Sequence, residues 1–271
     1  MEGDGADHSA AREPPHGVVI MRHVIYVFRY LMLVLITIFW GPAACLIAPL
    51  DPTGRTIQWI GRHYVGWIFR ACGIRVLADG VAEIDRSRSY VIMTNHQSVL
   101  DIGALIRTLP IEWRFVAKRE LTWIPIFGWA VAMSQVIIDR GRHARAIARL
   151  QRAAKRIQGG ANVIIFPEGT RSPDGELREF KSGGFHLAIQ AQVPILPATV
   201  SGSHKLTPKG SFRIESGTLK ISYGRPIPTE GLTTRDRGRL KDEVRAAIAA
   251  GHDPAFQGAE PVGAAARAHV A

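Results

Sequence analysis

The longest run of apolar residues lies near the amino terminus, over residues 30–50. About twenty apolar residues are enough for a helix to cross the hydrocarbon core of a bilayer. The run is apolar on every side, which the core helix of a soluble domain rarely needs, and Arg22 and Arg29 precede it. The pattern predicts a membrane helix, and the Gly41-Pro42 pair marks a point at which that helix could break.

A second helix is predicted over residues 57–71, where aromatic side chains alternate with arginines. Aromatic rings with basic flanks favour the interface between lipid and water. Two arrangements stay open: the first helix spans the membrane, or the two helices form a hairpin within one leaflet. In either case residues 23–72 form an anchor and residues 1–22 a flexible leader. A cleaved secretory signal is less favoured because the charged, proline-containing leader is long.

Short apolar runs then alternate with helical patterns. Bulky, partly β-branched runs between turn residues predict buried strands. The predicted strands lie at residues 74–77, 90–94, 114–117, 135–138, 163–166, 195–200 and 219–223, and the predicted helices at 100–109, 142–158 and 183–192. We therefore expect one α/β domain over residues 73–230, a mixed central sheet flanked by helices. A surface helix over residues 231–250 and a flexible tail over residues 251–271 complete the chain.

The net charge of the chain is +11, from 34 Lys and Arg against 23 Asp and Glu. Such a charge attracts anionic lipid, the phosphates of CoA, an acidic carrier protein or nucleic acid. The densest basic cluster, residues 140–156, has arginines at helical spacing, which fits either a helix against headgroups or a solvated face. We expect no nucleic-acid partner because no groove-reading or base-stacking motif accompanies the cluster.

A histidine and an aspartate, His96 and Asp101, follow the strand predicted at residues 90–94. On one continuous helix, a separation of five would place the two side chains roughly 140° apart, too far to touch. We therefore expect His96 in the turn before the helix and Asp101 within the helix, with their side chains in contact. The carboxylate would then fix the tautomer of a catalytic base. A loop histidine that only satisfies hydrogen bonds is the alternative.

A second polar loop, residues 167–175, follows the strand predicted at residues 163–166. Glu168 and Arg171 supply opposite charges there, Thr170 supplies a hydroxyl, and Lys181 follows nearby. A guanidinium and the amides of a glycine turn are suited to phosphate oxygens. The loop predicts a phosphate site, and the alternative is a hairpin with a surface ion pair.

Together these blocks resemble the 1-acylglycerol-3-phosphate O-acyltransferase family. Asn95, His96 and Asp101 match its NHxxxxD block, and residues 166–172 match its FPEGTRS block. Two weaker blocks, within residues 118–140 and at residues 193–197, follow the family's order.

The resemblance implies transfer of an acyl group from acyl-CoA or acyl carrier protein to the sn-2 hydroxyl of lysophosphatidate, without a cofactor. It implies that His96 is the general base and that Asp101 orients it. Arg171 would bind the acceptor's phosphate, with Glu168 orienting that arginine or a hydroxyl. The other substrate-binding residues that we expect are Gly169, Thr170, Lys118, Arg140 and Lys181.

Three alternatives stay open. Ser98 or a cysteine could form an acyl-enzyme, a sister enzyme could use another lysophospholipid, lyso-aminolipid or glycolipid, and an inactive scaffold or lipid-binding protein could keep only the fold. No metal is predicted, because no His, Cys and carboxylate set has ligand spacing. We expect membrane phospholipid and the acyl donor as partners, and the catalytic domain on the cytoplasmic side of the cell membrane.

Overall fold

The computed structural model describes residues 16–51, 54–118, 136–138, 154–155 and 157–253. The described helices are α1 (His16–Ile47), α2 (Arg55–Cys72), α3 (Leu100–Thr108), α4 (Gly183–Ala191), α5 (Ser203–Leu206) and α6 (Arg237–Ala250). The strands are β1 (Ile74–Asp79), β2 (Val91–Thr94), β3 (Arg114–Lys118), β4 (Val136–Ile138), β5 (Val163–Ile165), β6 (Ile195–Ser201) and β7 (Gly217–Tyr223). The predicted helix over residues 142–158 and the predicted tail lie almost wholly outside the described residues.

The strands form one seven-stranded sheet in the order β1-β7-β6-β2-β5-β3-β4. All neighbouring strands are parallel except β6 and β7, which are antiparallel. The prediction of a mixed sheet flanked by helices is therefore confirmed. Because β2 and β5 are parallel neighbours, with Val91 paired to Val163, the loops at their carboxyl ends meet at one edge of the sheet.

Apolar side chains alternate between the two faces of the sheet. On β2, Ile92 joins a core with α2 and α3, while Val91 and Met93 join a second core with α4 and α6. This is the period of two expected of a strand that is buried on both faces. The helices thus form two layers, and the loops that follow β2 and β5 lie between them.

Helix α1 begins at His16, so residues 16–22, expected to belong to a flexible leader, are helical. Their run of Val18, Val19, Ile20 and Met21 continues the apolar pattern toward the amino terminus. The helix does not end at the Gly41-Pro42 pair, and Pro42 lies inside it. Proline has no backbone N–H, so the helix loses one hydrogen bond at Pro42 but continues beyond it.

Most large apolar side chains of α1 are exposed. The segment Val19–Ile47 contains an 18-residue window with a mean hydropathy of 2.2 and is long and apolar enough to cross a membrane. Polar contacts hold α1 to the loop before β7: Arg22 pairs with Glu215 at 2.7 Å, and the hydroxyl of Tyr30 donates to the Phe212 carbonyl at 2.8 Å. Ring stacking of Phe39 on Trp67 joins α1 to α2. An exposed apolar helix therefore lies on the α2 side of the domain.

Candidate active site

His96 lies between the end of β2 at Thr94 and the start of α3 at Leu100. Asp101 is in the first turn of α3. The Nδ1 atom of His96 lies 2.9 Å from Oδ2 of Asp101. The predicted placement, with the histidine before the helix and in contact with the aspartate within it, is confirmed.

The carboxylate of Asp101 is completely buried and is surrounded by hydrogen-bond donors. Its Oδ2 atom accepts the backbone N–H groups of Gln97 at 2.7 Å and Ser98 at 2.8 Å, and its Oδ1 atom accepts the hydroxyl of Ser203. Donors of this kind stabilise the ionised carboxylate. Nδ1 of His96 therefore carries a proton toward Asp101, which leaves Nε2 as the basic nitrogen.

The imidazole of His96 is fixed in orientation and stays partly exposed to solvent. Its ring stacks on Phe166, with the ring centroids 4.0 Å apart. The side chain keeps 16% of its surface exposed. A ring that is held between a carboxylate and an aromatic face, and that stays partly exposed, has the geometry that general-base catalysis requires.

Two amides beside His96 fix the loop, and sequence reasoning gave neither a structural role. The side chain of Asn95 donates to the carbonyl of Val200 at 2.8 Å and accepts its N–H at 2.7 Å, so it joins the end of β2 to β6. The amide of Gln97 donates to the carbonyl of Gly175 at 2.8 Å. The sequence signal for Asn95 was its place in the NHxxxxD block, and the signal for Gln97 was its position next to His96.

The loop after β5 is bonded directly to His96. The carboxylate of Glu168 accepts the N–H of His96 at 3.0 Å, and the N–H of Ser172 donates to the His96 carbonyl at 2.7 Å. Gly169 has a φ of +71°. A Cβ there would also come within 2.8 Å of the Lys181 ammonium. The positive φ favours glycine at this position, and the short distance shows that Lys181 lies against the loop.

Glu168 is almost fully buried, at 3% exposure. Burial raises the pKa of its carboxyl, although the His96 N–H and other donors oppose that rise. Its Oε2 atom has no hydrogen-bond partner among the described residues. Within that part of the chain no ion pair joins Glu168 to Arg171, so the surface ion pair of the alternative interpretation is absent.

The backbone at Arg171 is held by a lysine that sequence reasoning missed. The ammonium of Lys209 donates to the Arg171 carbonyl at 3.0 Å and lies 3.4 Å from the Thr170 hydroxyl. It comes from the segment between α5 and β7, so its sequence position carried no signal. Lys209 adds a cation to a loop that already holds Arg171.

Two expected substrate-binding residues stay predictions. Lys118 ends β3, but its side chain is outside the described residues, and Arg140 lies in an undescribed segment.

Of the candidate nucleophiles, Ser98 has its hydroxyl hydrogen-bonded to another group, and the two cysteines lie in other parts of the fold. The hydroxyl of Ser98 is buried and donates to the Thr207 carbonyl at 3.0 Å. Cys72 is buried in the core between α2 and the sheet, where burial raises the pKa of its thiol. Cys45 is in α1. In the described residues no group of three His, Cys, Asp or Glu side chains could hold a metal ion.

Comparison with known proteins identifies the family of this chain. The acyltransferase family model matches residues 75–201. Over 211 residues the chain is 34% identical to human 1-acyl-sn-glycerol-3-phosphate acyltransferase beta, an alignment that covers 76% of this chain and 75% of that protein. The chain belongs to the 1-acylglycerol-3-phosphate acyltransferase family.

Two further members of this family extend the comparison. Human 1-acyl-sn-glycerol-3-phosphate acyltransferase alpha is 41% identical over 175 residues, which are 64% of this chain and 62% of that relative's length. The crystal structure of the 1-acyl-sn-glycerophosphate (LPA) acyltransferase PlsC from Thermotoga maritima matches with a TM-score of 0.73 and 25% identity. That match covers 86% of this chain and 95% of the other. The resemblance found from the sequence is confirmed, and so is the fold.

Proposed function

We propose that this protein transfers a fatty acyl group from acyl-CoA or acyl carrier protein to the sn-2 hydroxyl of lysophosphatidate, which gives phosphatidate. The observation that carries the proposal is the contact between His96 and Asp101 beside the loop that contains Arg171. The acceptor is suggested by the relatives, which are named 1-acyl-sn-glycerol-3-phosphate acyltransferases.

His96 acts as a base and then as an acid in the proposed reaction. Its Nε2 atom removes the proton of the sn-2 hydroxyl while that oxygen bonds to the thioester carbonyl carbon, and the carbonyl electrons move onto oxygen. When the intermediate collapses, the carbon–sulfur bond breaks and the imidazolium returns its proton to the thiolate. The products are phosphatidate and a free thiol. Asp101 stabilises the imidazolium between the two steps.

The acceptor's phosphate binds at the loop after β5 in this proposal. Arg171 offers a forked donor, and Gly169 and Thr170 offer an amide and a hydroxyl. Lys181 supports the assignment because its ammonium lies against Gly169. We keep Lys118 and Arg140 as further substrate-binding residues from the sequence motifs.

The acceptor is a lipid, and α1 provides a means of reaching it. Its exposed apolar surface would hold the domain against the membrane, with phospholipid as its partner. We assign the catalytic domain to the cytoplasmic side of the cell membrane, because CoA and carrier-protein thioesters are cytoplasmic donors.

The test is an acyltransferase assay of the purified full chain in mixed micelles, with one radiolabelled acyl-CoA and a panel of lysolipids. We expect transfer to lysophosphatidate and a loss of about 10³-fold or more in His96→Ala, since base catalysis and positioning disappear together. His63→Ala is the matched control, because that histidine lies in α2, where it bonds the Trp59 carbonyl and packs on the Trp59 ring, and it contacts neither active-site loop among the described residues.

Each other outcome contradicts part of the proposal. Near-normal turnover by His96→Ala would remove the base. Transfer only to a different lysolipid would favour a sister enzyme, and no transfer to any acceptor would favour the inactive scaffold.

A further inference from the structure

A cavity of about 590 Å³ opens beside the loop after β5. Its volume is in the range of small-molecule sites. Glu168 and Thr170 line one side of it, and residues from the start of α6 line another. The basic side chains in its wall are Arg178, Lys181, Arg237 and Lys241. The cavity is therefore continuous with the candidate active site and is rich in cations.

The acidic side chains in the wall do not neutralise this charge. Four basic side chains face two carboxylates, those of Glu168 and Glu179, so a positive excess remains even when both carboxylates are ionised. Glu179 is 91% exposed and lies 3.8 Å from Lys241, a long contact for an ion pair. The wall keeps a net positive charge, and a concave positive surface concentrates anions.

Arg237 is held in place without a carboxylate. Its guanidinium lies 2.6 Å from Nε2 of His186 in α4. Burial and the adjacent Arg237 cation both lower the pKa of His186, so the neutral imidazole accepts this hydrogen bond. Among the described residues no carboxylate pairs with Arg237. The remaining donors of its fork are available to a ligand.

The cavity lies on the opposite face of the sheet from the apolar helix. Helices α4 and α6 pack on one face, whereas α2, which contacts α1, packs with α3 on the other. A lipid acceptor would approach from the α1 side. The described lining comes from the loop after β5, the segment before α4 and the start of α6, and not from α1 or α2, which suits a soluble ligand better than the lipid acceptor.

We propose that this cavity binds the phosphate groups of the acyl donor, an inference that rests on the proposed function. The shared chemistry is the phosphate at the end of a phosphopantetheine arm, supplied either by CoA or by acyl carrier protein. Thr170 and Lys181, which also line the cavity, belong to the acceptor's phosphate site proposed above, so Arg237 and Lys241 on the α6 side of the wall bind the donor phosphates. Because Glu168 lines the cavity and also bonds the His96 backbone, the arm leads from the basic residues to the thioester at His96.

The test compares Arg237→Ala and Lys241→Ala with the unchanged full chain in detergent micelles. Three donors are used: palmitoyl-CoA, palmitoyl-carrier protein, and S-palmitoyl-pantetheine, which has no phosphate. We expect the KM for palmitoyl-CoA to rise about tenfold, as for loss of one charged hydrogen bond. The kcat, the KM for lysophosphatidate and the use of S-palmitoyl-pantetheine should stay unchanged.

Arg239→Ala is the matched control. It removes the same charge from the same helix, but Arg239 lies near Asp236 and Glu243, at 3.8 and 3.6 Å, and does not line the cavity. Its donor KM should equal that of the unchanged protein. Thermal melting of all three variants checks that each one folds.

The donor series identifies the phosphate source. A KM increase with palmitoyl-CoA alone identifies CoA, and an increase with the carrier protein alone identifies the carrier. An unchanged KM for both donors overturns the proposal, and so does a selective increase in the KM for lysophosphatidate.

Direct binding separates this inference from the proposed function. Calorimetry with free CoA and free phosphopantetheine needs no turnover. Binding that is lost in Arg237→Ala supports the cavity even if no lysolipid is acylated, whereas absence of binding to the unchanged chain overturns it. If transfer to lysophosphatidate occurs but the variants match the control, only the cavity assignment fails.

Discussion

Glu168 accepts the backbone N–H of His96 at 3.0 Å. From the sequence we expected this carboxylate to orient Arg171 or a substrate hydroxyl. Its observed contact instead joins the loops that follow β2 and β5, and the bond from Ser172 to the His96 carbonyl at 2.7 Å reinforces the junction. Glu168 thus holds the backbone that carries the proposed base, while its second oxygen has no partner among the described residues.

Asp101→Asn should lower kcat by about 10²–10⁴-fold. Both oxygens of Asp101 accept donors, so the amide nitrogen of asparagine would face a donor in either orientation. It would also leave the imidazolium of His96 without a counter-charge. Steady-state kinetics would measure the loss. Asp79→Asn, at a 65% exposed carboxylate paired with Lys220, is the control, and undiminished turnover by Asp101→Asn would contradict the orienting role.

Glu168→Gln should become more stable relative to the unchanged protein as the pH rises from about 4 to about 7. Burial raises the pKa of Glu168 above its ordinary value of 4.5. Below that value the carboxyl is neutral in the folded and the unfolded chain. As the pH rises, the unfolded chain releases this proton first, so the free energy of unfolding falls until the folded-state pKa is passed. Glutamine has no proton to release.

Melting temperatures of both proteins across this pH range provide the measurement for Glu168. The difference between the two proteins cancels the titration of other groups. A difference that is constant with pH, or that moves in the opposite direction, would show that burial does not raise the pKa of this carboxyl.

Ser98→Ala should keep most of the activity. The Ser98 hydroxyl is buried and donates to the Thr207 carbonyl at 3.0 Å, so its loss should lower the free energy of unfolding by about 1–2 kcal/mol without removing a reacting group. Turnover and denaturant unfolding would be compared in one preparation. Loss of turnover in a folded protein, together with an acylated wild-type protein formed from donor alone, would restore the acyl-enzyme alternative.

Gly103→Ala should destabilise the domain by about 1–3 kcal/mol. A Cβ at this position in α3 would lie 2.7 Å from the ring of Phe69 in α2, so the two helices would have to separate. Gly238→Ala is a matched change in α6, where a Cβ meets no atom within 4 Å. There alanine should stabilise by about 0.5–1 kcal/mol. Urea unfolding would measure both, and equal effects would argue against tight packing of α2 on α3.

The strands and the central pair were predictable because their signals are local. Each strand is a short apolar run between turn residues, and helical geometry alone required His96 to precede the helix that carries Asp101. The family blocks then identified the loop after β5 from contiguous residues. None of these inferences needed the order of strands in the sheet.

The supporting contacts were not predictable because their partners are distant in sequence. Asn95 and Val200 are 105 residues apart, and Glu168 and His96 are 72 apart. Lys209 reaches Arg171 only because of where the fold places the segment after α5. The sequence also has no local signal for the antiparallel pairing of β7 with β6. Such features depend on tertiary placement and leave no periodic pattern in the chain.

The backbone amides that donate to Asp101 should exchange their hydrogens with solvent unusually slowly for loop amides. The N–H groups of Gln97 and Ser98 are buried against one carboxylate oxygen, in a loop where amides would ordinarily exchange rapidly with solvent. Their protons exchange with water only when these hydrogen bonds to Asp101 open. We therefore expect these two loop amides to exchange deuterium as slowly as those of the central strand β2. Slow exchange in the substrate-free protein would show that the site is assembled before any substrate arrives.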